Sequence, residues 1–305
     1  MKIIFSGTPH FSKQLARTFS KYDHVNTYLS LDIKTNLLKR LYCYYHILTA
    51  DVLFVNYVDA YYMKSVDFAL LLNKKVVLSW IGNDVMDAVP RIKKGLFNLN
   101  YIHKTIHTTN SSWLKDELKE VNIDARYLTI YMYKEKKRKI SITKKFSVLC
   151  YVAKGEEKFY GIETIIKLAN DFPHIDFKIA GINNYPNIPS NIKLLGWVNM
   201  DHEYENATVY IRYPKHDGEA HSVLEALSYG KTVFYNRNYP FVNYVNTYKE
   251  LRNGLENTLL EYKNNTLTPN YNAIEHIKKN YTFDKVYKEY MHLFSSFNQL
   301  SKENN

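Results

Sequence analysis

Two carboxylates with seven residues between them, Asp217 and Glu225, bracket a glycine-led loop in the stretch Asp-Gly-Glu-Ala-His-Ser-Val-Leu-Glu-Ala-Leu at 217–227. A strand pattern, Ala207–Tyr213, runs into it, and a turn and strand at Gly230–Tyr235 follow. The loop, Gly218, Glu219, Ala220 and His221, opens a helical pattern through Ser222 and Val223. The first turn of a helix leaves backbone N–H donors without intrahelical acceptors, and the helix dipole is positive at that end, so an anion fits there. Glu225, one turn further in, would repel a phosphate in direct contact but can accept hydrogen bonds from the vicinal hydroxyls of a sugar. A phosphate beside a ribose describes a nucleotide. The same residues admit a second reading: Ser222 and Glu225 have the spacing of a capping box, with Ser222 as N-cap. That reading leaves Asp217 and Gly218 without a role.

The elements that must carry this loop alternate. Strand patterns fall at Lys2–Ser6, Asp51–Tyr57, Lys75–Trp80, Thr105–Thr109 and Arg126–Ile130, then at Ser147–Val152, Ile175–Ala180, Ile192–Leu195, Thr208–Arg212 and Thr232–Tyr235. Amphipathic patterns such as Phe11–Phe19, Ser111–Val121, Ile162–Asp171 and Ser222–Tyr229 lie between them. Apolar strands separated by helices predict α/β architecture, with parallel sheets covered on both faces. The stretch 134–145 lacks apolar periodicity and reads as a basic linker between two doubly wound, Rossmann-like domains, 1–133 and 146–280. Residues 281–305, with aromatic anchors at Tyr281, Phe283, Tyr287 and Tyr290, read as a final helix. In open α/β folds ligands sit outside the carboxyl ends of the strands, so a cleft between two such ends is expected.

The 217–227 stretch resembles the carboxylate-x7-carboxylate motif of glycosyltransferase family 4, usually Glu-Gly-Phe-Gly-x-Pro-x-x-Glu-Ala. Asp217 stands at the first Glu, Ser222 at the Pro, and Glu225-Ala226 at the closing pair. The resemblance runs from Ser147 to about Tyr235 and is fainter before that. It implies the two-domain GT-B fold, with acceptor on the first domain and nucleotide sugar on the second, and a last helix packing back on the first. It further implies transfer of a sugar from a UDP- or GDP-type donor with retention of configuration, no required metal and no cofactor beyond that co-substrate. The acceptor is then a glycan, a lipid-linked molecule or another hydroxyl compound.

Residue by residue, the resemblance implies that Glu225 binds ribose and that Asp217, with the Glu219–His221 loop, holds the donor sugar. The segment Tyr151–Gly161 is similar to the family's strand-Gly-Arg-…-Lys-Gly segment, whose cations grip the donor diphosphate. Lys154 falls at the Arg position, whereas Tyr160 replaces the Lys and Lys158 lies two residues earlier. Cations there would offset charge growing on the leaving diphosphate. Gly196-Trp197-Val198 resembles the Gly-x-Val turn that meets the nucleotide base; Trp197 is equally explained as a core aromatic. In the first half, Trp80-Ile81-Gly82-Asn83-Asp84 resembles a turn near donor sugar and acceptor. Asp84 there would orient an acceptor hydroxyl or take its proton, or would simply cap a helix.

Bulk properties bound the alternatives. The 305 residues are 46% hydrophobic and 15% aromatic, enough for two folded cores. No apolar run spans a membrane, the start lacks a signal-peptide pattern, and Cys43 and Cys150 lack metal-type spacing. A cytoplasmic protein with reduced thiols is expected. No H-E-x-x-H or paired Cys/His spacing marks a metal site. The net charge is +11; residues 1–145 hold 24 Lys and Arg against 12 Asp and Glu, residues 146–305 hold 17 against 18. The basic first half predicts an anionic partner, with peripheral contact at an anionic membrane as one form of it. Two rival functions stay open: a nucleotide-sugar binder without turnover, suggested by the displaced Lys158 and by Asp at 217, and a nucleic-acid binder. The second has no recognised motif, and no nucleic-acid partner is expected.

Overall fold

The computed structural model describes residues 1–32, 37–59 and 62–300, which form two compact units, Met1–Met132 with the C-terminal segment from Phe283, and Tyr133–Thr282. In the first unit the order is β1 (Lys2–Gly7), α1 (Pro9–Tyr22), β2 (Thr27–Ser30), α2 (Leu37–Leu48), β3 (Val52–Asn56), α3 (Met63–Leu71), β4 (Lys75–Trp80), α4 (Asn83–Lys93), α5 (Leu99–His103), β5 (Ile106–Thr109), α6 (Ser112–Lys119) and β6 (Ala125–Tyr127). The six strands form one parallel sheet in the order β2-β1-β3-β4-β5-β6. Successive side chains of a strand face opposite ways, and the packing follows this alternation. Ile4, Leu53, Val55, Val76 and Leu78 join a core with α2, α3, α4 and α6. Ile3, Phe5, Val52, Phe54 and Val77 join the opposite one with α1 and with α12 (Phe283–Leu300). Burial on both faces explains why these strands read as apolar runs.

The C-terminal helix α12 is held to the first unit by aromatic packing, with Tyr290 against Phe19 at 5.1 Å and against Phe54 at 5.4 Å between ring centroids. The hydroxyls of Tyr287 and Tyr28 both donate to Asp23. The sequence reading placed Tyr281 in this helix. Instead it caps the helix Tyr271–Asn280 (α11) of the second unit, because α12 starts only at Phe283.

The second unit runs β7 (Ser147–Tyr151), α7 (Ile162–Asp171), β8 (Asp176–Ala180), β9 (Ile192–Gly196), α8 (Met200–Glu205), β10 (Val209–Arg212), α9 (His221–Ser228), β11 (Thr232–Tyr235), β12 (Asn243–Tyr244), α10 (Tyr248–Lys263) and α11 (Tyr271–Asn280). Its six strands are also parallel, in the order β12-β11-β10-β7-β8-β9. Residues 134–145, expected to link two domains, belong to this unit. Lys136 pairs with Asp201, the backbone N–H of Lys139 donates to Glu205 at 3.2 Å, and the Arg138 guanidinium lies 5.2 Å from the Tyr229 ring centre. The charge asymmetry changes with this boundary. The first unit carries 20 Lys and Arg against 14 Asp and Glu, the second 21 against 16, so both are moderately basic.

One cation in the second unit is buried at a cost. Lys231, 3% exposed at the entry to β11, has its pKa pushed down to about 8 by burial, against the attraction of Glu205. A lysine with a depressed folded-state value contributes stability above its ordinary pKa and loses it as pH falls through the folded value. Lys231→Met is therefore expected to stabilise the protein by roughly 1–3 kcal/mol at pH 7. The gain should fade as pH approaches ~10.5, where the unfolded lysine also loses its proton. Thermal melts at pH 7 and 10 check this; an equal gain at both would remove charge burial as the cause.

Candidate functional site

All strands of the second sheet are parallel, so the loops after β7, β9, β10 and β11 emerge at one edge, and nearly every residue singled out in the second half lies there. The loop after β7 is drawn onto the loop after β10. Gly161 sits in the left-handed region, φ 79°, where a Cβ would lie 2.2 Å from the Tyr213 carbonyl oxygen. Only glycine permits that approach. The Lys215 N–H donates to the Phe159 carbonyl at 2.9 Å, and the Tyr160 ring lies 4.6 Å from the Arg212 guanidinium.

Arg212 organises this edge, and the sequence reading gave it no role. Its Nε and one terminal nitrogen grip Asp217 at 2.7 and 3.0 Å, with the arginine side chain 8% exposed. Burial opposes the arginine's charge, but Asp217 outweighs it and the Arg212 pKa is pushed up. The Tyr235 hydroxyl, on β11, donates to Asp217 at 3.1 Å and to the Gly218 carbonyl at 2.9 Å. Asp217, expected to hold a donor sugar, thus anchors its own loop to two strands. The available signal was a charged residue ending an otherwise apolar central strand, Thr-Val-Tyr-Ile-Arg at 208–212. Glu219 is likewise committed: it is buried and accepts from the Tyr281 hydroxyl at 2.7 Å, with the Tyr239 hydroxyl at 3.5 Å.

Helix α9 starts one residue before the sequence pattern placed it. Ala220 is the N-cap and makes no side-chain cap bond, so Ser222 lies inside the first turn. The capping box is therefore absent at 222–225; a complete one occurs instead at Thr247–Glu250, where α10 begins. The Val223 N–H, in the turn expected to meet an anion, donates to the Ala220 carbonyl at 3.0 Å. His221 and Ser222 remain at the mouth of the helix, where first-turn N–H groups lack intrahelical acceptors. Glu225 accepts from the Tyr204 hydroxyl at 3.2 Å, and that hydroxyl also lies 3.1 Å from the Ser222 carbonyl. Burial pushes the Glu225 pKa up, against the Tyr204 hydrogen bond.

The lysines of the β7 loop stay at the surface. Lys154 is exposed, and Lys158 pairs with Glu163 at 3.3 Å with both side chains largely in water. Trp197 is 89% exposed, which rules out the core-aromatic reading. It projects just beyond Gly196, whose N–H donates to the Ile182 carbonyl at 2.8 Å while its carbonyl accepts from Gly181 at 2.7 Å. Val198, half-buried, follows it.

Asp84 belongs to the first unit. It is fully buried in the first turn of α4 and accepts backbone N–H groups of Val58 at 2.9 Å, Gly82 at 2.8 Å and Ile81 at 3.1 Å. Burial pushes its pKa up to about 6, although those donors oppose the shift. Its visible work is to pin the turns after β3 and β4 together; Tyr57 beside it holds a left-handed backbone, φ 70°.

No family model matches the chain, and no curated protein resembles it in sequence. Solved structures do. A sucrose-phosphate synthase from Thermosynechococcus elongatus superposes with a TM-score of 0.67 at 11% identity, covering 98% of this chain and all of that one. TarM, known from S. aureus, gives 0.63 at 11% identity over 83% of this chain, which spans only 57% of TarM. A UDP-GlcNAc 2-epimerase from Neisseria meningitidis, solved with UDP-GlcNAc, gives 0.52 at 12% identity and 96% coverage. At such identities the likeness is one of fold. The chain has the GT-B fold, two Rossmann-like domains each built on a six-stranded parallel sheet.

Proposed function

We propose that this protein is a glycosyltransferase that takes a sugar from a UDP- or GDP-type donor held at the carboxyl edge of the second sheet. The observation that carries the reading is that the α9 N-terminus, Glu225 one turn inside it and the exposed Trp197 all lie at that edge of one parallel sheet. The helix mouth suits the diphosphate, Glu225 the ribose hydroxyls and Trp197 the face of the base. Lys154, exposed on the adjoining loop, is the cation that would offset charge on the leaving diphosphate; Lys158 would first have to leave Glu163. Asp217 and Glu219, held by Arg212 and by tyrosines, shape the sugar pocket through the backbone of Gly218 and Ala220. Retention of configuration, independence of metal and a glycan or lipid-linked acceptor complete the proposal. The structural likeness to an epimerase makes interconversion of the donor sugar the alternative reaction at the same site.

Thermal-shift and equilibrium binding with UDP, GDP and their sugars test the site. Glu225→Gln, which keeps the Tyr204 hydrogen bond, is expected to weaken nucleotide binding by about 1.5–3 kcal/mol with little change in melting. Normal nucleotide affinity in that variant would remove Glu225 from the site. Product analysis with each bound donor then separates transfer or hydrolysis from epimerisation, and a donor bound without turnover would favour a binding protein.

A further inference from the structure

We propose that the outward face of α2 docks the protein onto the surface of an anionic lipid bilayer. Helix α2 is apolar on two opposite sides. Cys43 and Ile47 are buried against α3 and the first sheet. Leu38, Leu41, Tyr42, Tyr45 and Leu48, spaced three to four apart and so lying along one stripe, are each between 50% and 76% exposed. A helix apolar all round is normally buried, and contiguous exposed apolar stripes mark contact surfaces.

Charge and side-chain chemistry select the occupant. Lys39 and Arg40 are exposed in the first turn, α2 contains no acidic residue, and the unit that carries it has 20 Lys and Arg against 14 Asp and Glu. Leucines and two tyrosines beside the two cations of the first turn match an interfacial helix, apolar side chains entering the headgroup boundary while the phenol hydroxyls and cations stay at headgroup level. No described helix is long and apolar enough to cross a membrane; the contact proposed is with the bilayer surface. The inference is independent of the nucleotide-sugar reading.

The protein is co-sedimented with vesicles of phosphatidylglycerol and phosphatidylcholine in equal parts, and with phosphatidylcholine alone. Binding is expected to the anionic vesicles and to weaken as salt rises. Replacing Leu38, Leu41 and Tyr45 together by serine should lower partitioning about tenfold or more without lowering the melting temperature. Lys39→Gln and Arg40→Gln should each lower it roughly fivefold. Leu260→Ser, at an exposed leucine on α10, should leave it unchanged. Absence of binding, equal binding to neutral vesicles, or undiminished binding of the triple variant would overturn the proposal. So would a dimer in sedimentation velocity that the triple variant dissociates while the parent ignores vesicles; a second copy would then cover the face.

Discussion

Arg212→Ala is expected to lower the unfolding free energy by about 3–5 kcal/mol, the range for removing one partner of a buried ion pair. Arg212 and Asp217 have side chains only 8% and 14% exposed, so the change strands a carboxylate that water cannot reach well. The Tyr235 hydroxyl at 3.1 Å is a neutral donor and offsets only part of that loss. The Tyr160 ring loses its cation as well. Arg212→Lys should recover part of the loss, since an ammonium keeps the charge but not the two-point grip. Because Asp217 holds the 217–220 loop in place, nucleotide binding should fall in parallel with stability. Denaturant unfolding of the single variants and of the Arg212→Ala, Asp217→Ala pair measures the coupling. Losses that simply add would show that the two residues do not stabilise each other.

The second large effect is expected at Gly161→Ala. A side chain at φ 79° costs about 1–2 kcal/mol in itself. The added carbon would lie 2.2 Å from the Tyr213 carbonyl oxygen, a backbone atom that cannot rotate away. Relieving that overlap costs a further ~1–3 kcal/mol by analogy with overpacked cores. The shift must separate the loop after β7 from the loop after β10, so the Lys215 to Phe159 hydrogen bond should open. The expected signature is a lower denaturation midpoint together with weaker UDP or GDP binding. Gly155→Ala provides the comparison: it has a similar backbone, φ 85°, with nothing within 4 Å of its added carbon. Equal losses at the two glycines would show that backbone conformation, and not the approach to Tyr213, sets the effect.

What the sequence by itself determined is the layered frame. All ten strands read from the sequence have a counterpart, although β6 overlaps the expected Arg126–Ile130 only at Arg126 and Tyr127; the central strands were legible because strands covered on both faces are apolar throughout. Like β6 and β9, which were read, the two it missed, β2 and β12, are edge strands of their sheets. Each pairs on one side only and is short and partly exposed, so neither carries a continuous apolar signal. The candidate residues of the second half were legible for a related reason: in a parallel sheet every strand-to-helix loop must emerge at the carboxyl edge.

Only the tertiary structure decided how those residues are employed. Ser222 is a helix residue and no cap, Glu219 is bound by two tyrosines, and Asp217 is the partner of Arg212 five positions back. Tyr281 lies 62 positions from Glu219 and Tyr235 18 from Asp217. Pairings across such separations leave no periodicity for local reading to detect, since they exist only once β10, β11 and the end of α11 are packed together. The same holds for charge. Counted along the chain the excess sits in the first half, but residues 134–145 fold into the second unit and divide it almost evenly. Burial and pairing then settle which charges face solvent, and neither is a property of any residue taken alone.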